Sequence, residues 1–336
     1  MQEFSFRYDS SGCPFTLHDL DFKTVLIPAV TSCGTKYFRP MRVGMPKIPE
    51  DSQQTVFYVY SNKEDARDGN NVGGTGFYAG IRSEKHPNIV YIYGITNWHV
   101  VFGESGASVI RVNRKGKKPD ILDYDLVDWD FIPNGGDVAI SPILSIGDKH
   151  LMRYVQVESF ATENIVKKLK INVGDNMFMM GRFVDHDGGK INLPSARFGH
   201  ISVMPTYVPR EDHNNLNVKS YILDMHSRTG YSGSPVYVFR VPCADLDAIN
   251  SGKNPWRFPP FLYLLGIHWG QFPEEWKGKK GTDKIIFHGV SGMSLVVPAE
   301  RILDLINTPK LKAQRDIHDS EREEHYQKHG YPPILD

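Results

Sequence analysis

The chain has 336 residues, with 39 Lys and Arg against 39 Asp and Glu and a formal charge of zero at pH 7. Apolar residues make up 40% of it and charged residues 23%, ordinary values for a protein with a buried core. That balance argues against a general nucleic-acid binder, which needs a basic surplus to neutralise phosphates, and it rules out an acidic solvating chain.

Thirty Gly and 22 Pro are spread along the chain without a repeat, which points to many short strands and turns. Cys13, Cys33 and Cys243 form an odd, sparse set that suits neither a disulfide framework nor a zinc site. The N-terminus has no basic start leading into an apolar stretch, and no run nears the roughly 18 apolar residues of a spanning helix. The expectation is a cytoplasmic protein without a membrane or nucleic-acid partner.

In chain order, residues 1–50 read as an extended arm, mixing short apolar runs with Pro and Gly. A first set of strands is expected within 51–165: Thr55-Val-Phe-Tyr-Val-Tyr, Thr75-Gly-Phe-Tyr-Ala-Gly-Ile, Ile89-Val-Tyr-Ile-Tyr, Ser108-Val-Ile-Arg-Val and Asp137-Val-Ala-Ile. A second set falls within 166–308, from Met177-Phe-Met-Met to Gly289-Val-Ser-Gly-Met-Ser-Leu-Val-Val. Pro298-Ala-Glu-Arg-Ile-Leu-Asp-Leu-Ile reads as a helix, with Pro near its start, Glu300 in its first turn and one apolar face. Residues 309–336 are charged and read as a solvated helix or tail. Arg114-Lys-Gly-Lys-Lys reads as a hairpin tip, Gly73-Gly-Thr-Gly as a strand turn without the Lys-Ser/Thr of a phosphate loop, and Asp185-His-Asp-Gly-Gly as a turn without a calcium loop's later Glu.

Three segments carry chemistry. Gly94-Ile-Thr-Asn-Trp-His-Val-Val presents His99 at a strand end, Gly135-Gly-Asp-Val-Ala-Ile places Asp137 at the mouth of an apolar strand, and Thr229-Gly-Tyr-Ser-Gly-Ser-Pro-Val exposes Ser232 in a Gly-rich turn. His, then Asp, then Ser is the order of one known catalytic triad. A serine hydroxyl is a weak nucleophile at neutral pH, so His99 takes its proton and Asp137 fixes the imidazole tautomer. Asp128 and Asp130 are rival acids, but neither precedes an apolar strand. The glycines around Ser232 allow the N–H groups of Gly230 and Ser232 to converge as an oxyanion hole. His226 and Arg228, just before that turn, either add positive potential or face solvent.

With Gly74-Thr-Gly-Phe ahead of Thr96-Asn-Trp-His-Val, the chain resembles the trypsin-like (chymotrypsin-like) serine peptidases. Gly233-Ser-Pro-Val followed by Gly266-Ile-His-Trp-Gly narrows the resemblance to the bacterial glutamyl endopeptidase branch, over roughly residues 55 to 307. The resemblance implies two antiparallel six-stranded β-barrels with a C-terminal helix, the first supplying His99 and Asp137 and the second Ser232. It implies an endopeptidase working through an acyl-enzyme on protein or peptide substrates, without metal or cofactor. It assigns His268 and Ser227 to the pocket for an acidic (Glu/Asp) residue before the scissile bond, with Trp269 and Gly270 along the substrate backbone. Two departures bear on control. Met1 and the long arm stand where secreted members have a processed amine, and Tyr231 stands where zymogen-type trypsins have Asp. A pre-formed site is therefore expected, or one regulated by a partner through the arm or tail. Two further readings stay open: a catalytically silent scaffold that binds a partner peptide, and an HtrA-like regulated peptidase.

Overall fold

In the computed structural model the described residues are 24–30, 36–42, 48–104, 106–133, 136–143, 147, 149–183, 188–210, 216–227, 230–240, 261–280 and 283–330. The three cysteines, Arg228, and Asp185 through Asp187 lie outside them. The chain divides into two compact units, Met1–Ile48 with Cys243–Arg257, and Pro49–Pro242 with Phe258–Asp336. In the first, strands β1 (Thr24–Val30) and β2 (Lys36–Arg42) form an antiparallel hairpin.

The second unit holds two sheets. The first contains β3 (Val56–Tyr60), β4 (Val72–Arg82), β5 (Val90–Thr96), β6 (Val109–Arg114), β7 (Lys117–Leu122), β8 (Ala139–Pro142) and the short β9 (Val155–Gln156). They run in the order β7-β6-β3-β4-β5-β8, all antiparallel, with β9 pairing in parallel with β4. Helices α1 (Lys63–Asp68) and α2 (Trp98–Phe102) are short insertions between strands. Phe57, Val59, Tyr78, Ile110, Val112, Trp129 and Ala139 fill its core.

The second sheet follows helix α3 (Glu163–Leu169) and closes on itself. Its strands are β10 (Asn176–Gly181), β11 (Ser195–Arg210), β12 (Leu216–Asp224), β13 (Pro235–Arg240), β14 (Phe261–Lys280) and β15 (Asp283–Pro298), hydrogen-bonded in the ring β10-β11-β12-β15-β14-β13. The period-2 rule is visible in Met177-Phe-Met-Met: Met177 and Met179 enter the barrel core with Ile201, Leu223, Val236 and Val238, while Phe178 stacks on Tyr237 outside it.

The expected all-β class with two antiparallel sheets and a C-terminal helix is what the chain adopts. One refinement concerns closure. The first sheet stays open along its hydrogen-bond path, and both edge strands carry a proline, Pro119 in β7 and Pro142 in β8, which lacks the N–H that further pairing needs.

The last described elements are two helices, α4 (Ala299–Ile306), preceded by Pro298 at its cap rather than inside it, and α5 (Pro309–His329). The sequence reads this segment as a solvated helix or tail; it forms a helix with most of its residues exposed and one buried face. Leu311, Arg315 and Asp319, one turn apart on a single face, are buried. Arg315 donates to the Tyr93 hydroxyl at 2.9 Å and to the Ile306 carbonyl at 2.8 Å. Asp319 accepts from Ser83 at 2.8 Å and from the Tyr91 hydroxyl at 2.5 Å. The stripe was invisible to a hydropathy reading because two of its three members are charged.

Candidate active site

β5 ends in Thr96, and Asn97 turns the chain into α2, whose second residue is His99. Asn97 is fully buried and its side-chain amide donates to the Asp137 carbonyl at 2.7 Å, tying the two segments together. Asp137 lies two residues before the start of β8, which pairs with β5. The His99 backbone N–H donates to Asp137 Oδ1 at 2.9 Å, and His99 Nδ1 sits 2.5 Å from Oδ2. A carboxylate only accepts, so Nδ1 carries the proton and Nε2 is left as the base.

Asp137 has no exposed surface, and burial alone would raise its carboxyl. The opposing pull of His99 and of Arg210, whose Nη1 lies 3.0 Å from Oδ1, holds it below the usual carboxylate range. Arg210 went unnoticed in the sequence because it ends a strand of the other sheet. The rival acids are engaged elsewhere: Asp128 accepts the Asp125 N–H, and Asp130 pairs with Lys310.

The Ser232 turn is fastened to the first sheet through Thr75 of β4. The Thr75 N–H donates to the Ser232 carbonyl at 2.8 Å, and its hydroxyl donates to the Gly230 carbonyl at 2.6 Å. Thr96 in turn donates to the Thr75 carbonyl at 2.6 Å. Gly233, at φ +88°, is forced: a Cβ there would lie 1.8 Å from the Thr75 carbonyl oxygen. The Gly-Thr-Gly-Phe motif is thus the seat of the turn as well as the opening of a sheet. Among the described residues, the N–H groups of Gly230 and Ser232 take no hydrogen-bond partner. No hydrogen bond joins Ser232 Oγ to His99 in this structure either.

Tyr231, fully buried between those two residues, points its hydroxyl into the second barrel. It shares a hydrogen bond with Ser195 at 2.5 Å and accepts from Arg197 at 3.3 Å. A tyrosine thus supplies the inward anchor of the turn.

The strand with Gly266-Ile-His-Trp-Gly runs beside the turn. The Gly233 N–H donates to the His268 carbonyl and the His268 N–H to the Ser234 carbonyl, both at 2.9 Å. His268 Nδ1 lies 3.2 Å from the Tyr231 carbonyl, so Nδ1 bears the proton. Burial outweighs that bond and lowers the imidazole to about 4, leaving a neutral ring whose Nε2 is a buried acceptor without a partner. Ser227 Oγ is likewise buried and unpartnered. Trp269 sits in a bulge between β14 and β15, and its indole N–H donates to Ser220 at 2.9 Å. Gly270 faces open space. His226 is exposed.

Among the described residues, no group of three or more His, Cys, Asp or Glu could hold a metal ion, and no helix is long and apolar enough to cross a membrane.

No family model and no curated protein matches the chain. Solved structures do. The MamO protease domain from Magnetospirillum magneticum is 13% identical, with a TM-score of 0.45, over 76% of this chain and 97% of its own. The Rv3671c protease from M. tuberculosis in its active form is 19% identical, with a TM-score of 0.41, over 76% and 80%. The HtrA-type protease AlgW with a decapeptide is 13% identical, with a TM-score of 0.38, over 76% and 63%. At these values the likeness carries no functional argument.

Proposed function

We propose that the chain is a serine endopeptidase. The observation that carries this is the pairing of His99 with the buried Asp137, oriented with Nε2 as the free base, set beside a Ser232 turn with two unpartnered N–H groups. Ser232 Oγ attacks the substrate carbonyl while His99 Nε2 takes its proton. The Gly230 and Ser232 N–H groups receive the oxyanion, and His99 then gives the proton to the leaving amine. Water, activated by the same base, releases the acyl group.

We further propose an acidic residue before the scissile bond, read by His268 with Ser227. A neutral His268 presents a lone pair at Nε2, which repels a carboxylate. An acidic side chain must therefore bind together with a proton on the ring, and its negative charge, brought into a buried site, favours that proton. Trp269 serves by position, with Arg210 near its ring, and Gly270 leaves room for substrate backbone.

A fluorophosphonate should attach to Ser232 in the wild type and not in Ser232→Ala, and a peptide library should show the residue read before the cut. The silent-scaffold reading is favoured by one observation, the unformed Ser232–His99 hydrogen bond. A wild-type chain that the probe never labels would establish it.

A further inference from the structure

Asp137 has a third partner besides the two groups of His99. Arg210 closes β11 in the second barrel, its side chain is 4% exposed, and its Nη1 lies 3.0 Å from Asp137 Oδ1. Its guanidinium carbon lies 5.6 Å from the Trp98 ring centroid and 5.9 Å from that of Trp269. Trp98 precedes His99, and Trp269 follows His268 and is itself tied to Ser220. A guanidinium held by aromatic rings and a carboxylate is fixed in place and poorly hydrated, so its charge acts at nearly full strength.

We propose that Arg210 is a positioning residue for the His99–Asp137 pair, fixing the carboxylate from the opposite barrel and setting the pH range over which the pair works. The inference rests on the peptidase reading above. With a neutral His99, Asp137 and Arg210 balance each other. When His99 takes the serine proton, the imidazolium meets a carboxylate already neutralised by a guanidinium. Arg210 therefore opposes protonation of the ring before reaction and keeps the base free toward lower pH, at the cost of weaker support for the imidazolium during reaction. The groups that face Asp137 are His99 from α2, Arg210 from β11 and, at longer range, His268 from β14. Arg210 stays charged throughout, and His268 remains neutral down to about 4, so neither changes its charge over the pH range tested.

The test is the rate of Ser232 labelling by a fluorophosphonate between pH 5 and 9 in wild type, Arg210→Met and Arg210→Lys. Arg210→Met should move the acid limb of the profile upward by about one pH unit, the size of effect a nearby charge exerts. Arg210→Lys, which keeps the charge, should leave the limb near its wild-type position while lowering the plateau several-fold through loss of the planar fork. If Arg210→Met does not fold, Arg210→Gln removes the charge and keeps a donor for Asp137, and the same upward shift is expected. A limb that stays put in either folded uncharged variant overturns the proposal and makes Arg210 a strut alone. A wild type unlabelled at every pH overturns the peptidase reading and this one with it.

Discussion

The Ser232 carbonyl accepts the Thr75 N–H at 2.8 Å, so the residue proposed as nucleophile is held by a backbone bond from the sheet that carries His99 and Asp137. The bond does not involve the serine hydroxyl. Replacing Ser232 by Ala removes the reacting atom and leaves the seat intact. That substitution is expected to lower kcat by about five to six orders of magnitude, with an unchanged unfolding midpoint in urea. Cleavage by a pure Ser232→Ala sample within tenfold of wild type would refute the assignment.

Tyr231 gives a second expectation. Its hydroxyl, bonded to Ser195 and Arg197, already supplies the inward anchor of the turn, so activity should not depend on cutting the arm. Tyr231→Phe removes the hydroxyl and leaves its partners short of a bond, which should cost about 1–2 kcal/mol of stability. Activity should fall through kcat, because a looser turn misplaces the Gly230 and Ser232 N–H groups. Activity that appears only after a defined cleavage within the first fifty residues would show that Tyr231 does not suffice.

The contact between α5 and the first sheet yields a third. Asp319→Ala leaves the buried Ser83 hydroxyl without its acceptor and removes the shorter of the two hydrogen bonds of the half-buried Tyr91 hydroxyl, which keeps the Arg315 carbonyl at 3.1 Å. A loss of about 2–4 kcal/mol is expected, read from urea unfolding, with the labelling rate of the folded fraction unchanged. Stability equal to wild type would show that the Asp319 hydrogen bonds do not hold α5 to the sheet, leaving that to Arg315 and Leu311.

Much of this architecture was legible in the residues, and the failures have identifiable causes. Short β-branched and aromatic runs such as Val56 to Tyr60 announce themselves because strand burial selects them. His99, Asp137 and Ser232 stood out because turn glycines and apolar strands frame them. Arg210 and Thr75 did not, since their importance comes from partners 73 and 157 positions away (Arg210 to Asp137, Thr75 to Ser232) that only the folded chain supplies. The face of α5 escaped because hydropathy scores Arg and Asp as solvent-facing, whereas paired and hydrogen-bonded charges can be buried. The neutral state of His268 was also out of reach: the sequence shows a histidine, and only the fold shows which nitrogen meets a carbonyl.

That state has a consequence for stability. His268 is lowered by burial to about 4 from an ordinary value of 6.5. The unfolded chain therefore binds a proton between those values that the folded chain refuses, and stability falls as pH drops through that window. Above pH 6.5 both states are neutral and the contribution is flat. The full penalty, reached below about pH 4, is about 3 kcal/mol from His268. His268→Gln should flatten this part of the curve of unfolding free energy against pH. An equally steep curve in the variant would assign the acid sensitivity to other groups.

On the proposed reading, the same ring faces the substrate side chain before the scissile bond. A carboxylate beside Nε2 requires the second proton, whereas an amide can donate its own N–H to the neutral nitrogen without one. Peptides with Glu before the scissile bond should therefore gain on their Gln counterparts as pH falls, by up to about tenfold in kcat/KM ratio per pH unit where one proton is taken up on binding. At pH 8 the advantage of Glu should shrink or reverse. His268→Ala should abolish this pH dependence while Ser232 still reacts with a small fluorophosphonate, which separates a pocket defect from a loss of catalysis. Ser227→Ala, which removes a hydroxyl able to serve either ligand, should weaken both substrates by a few-fold and leave the slope of the ratio in place. Paired peptides assayed between pH 5 and 8 decide the matter. A ratio constant across that range, or cleavage after Lys, Arg or large apolar residues regardless of His268, would remove His268 from the reading of substrate and leave the peptidase assignment to stand on His99, Asp137 and Ser232.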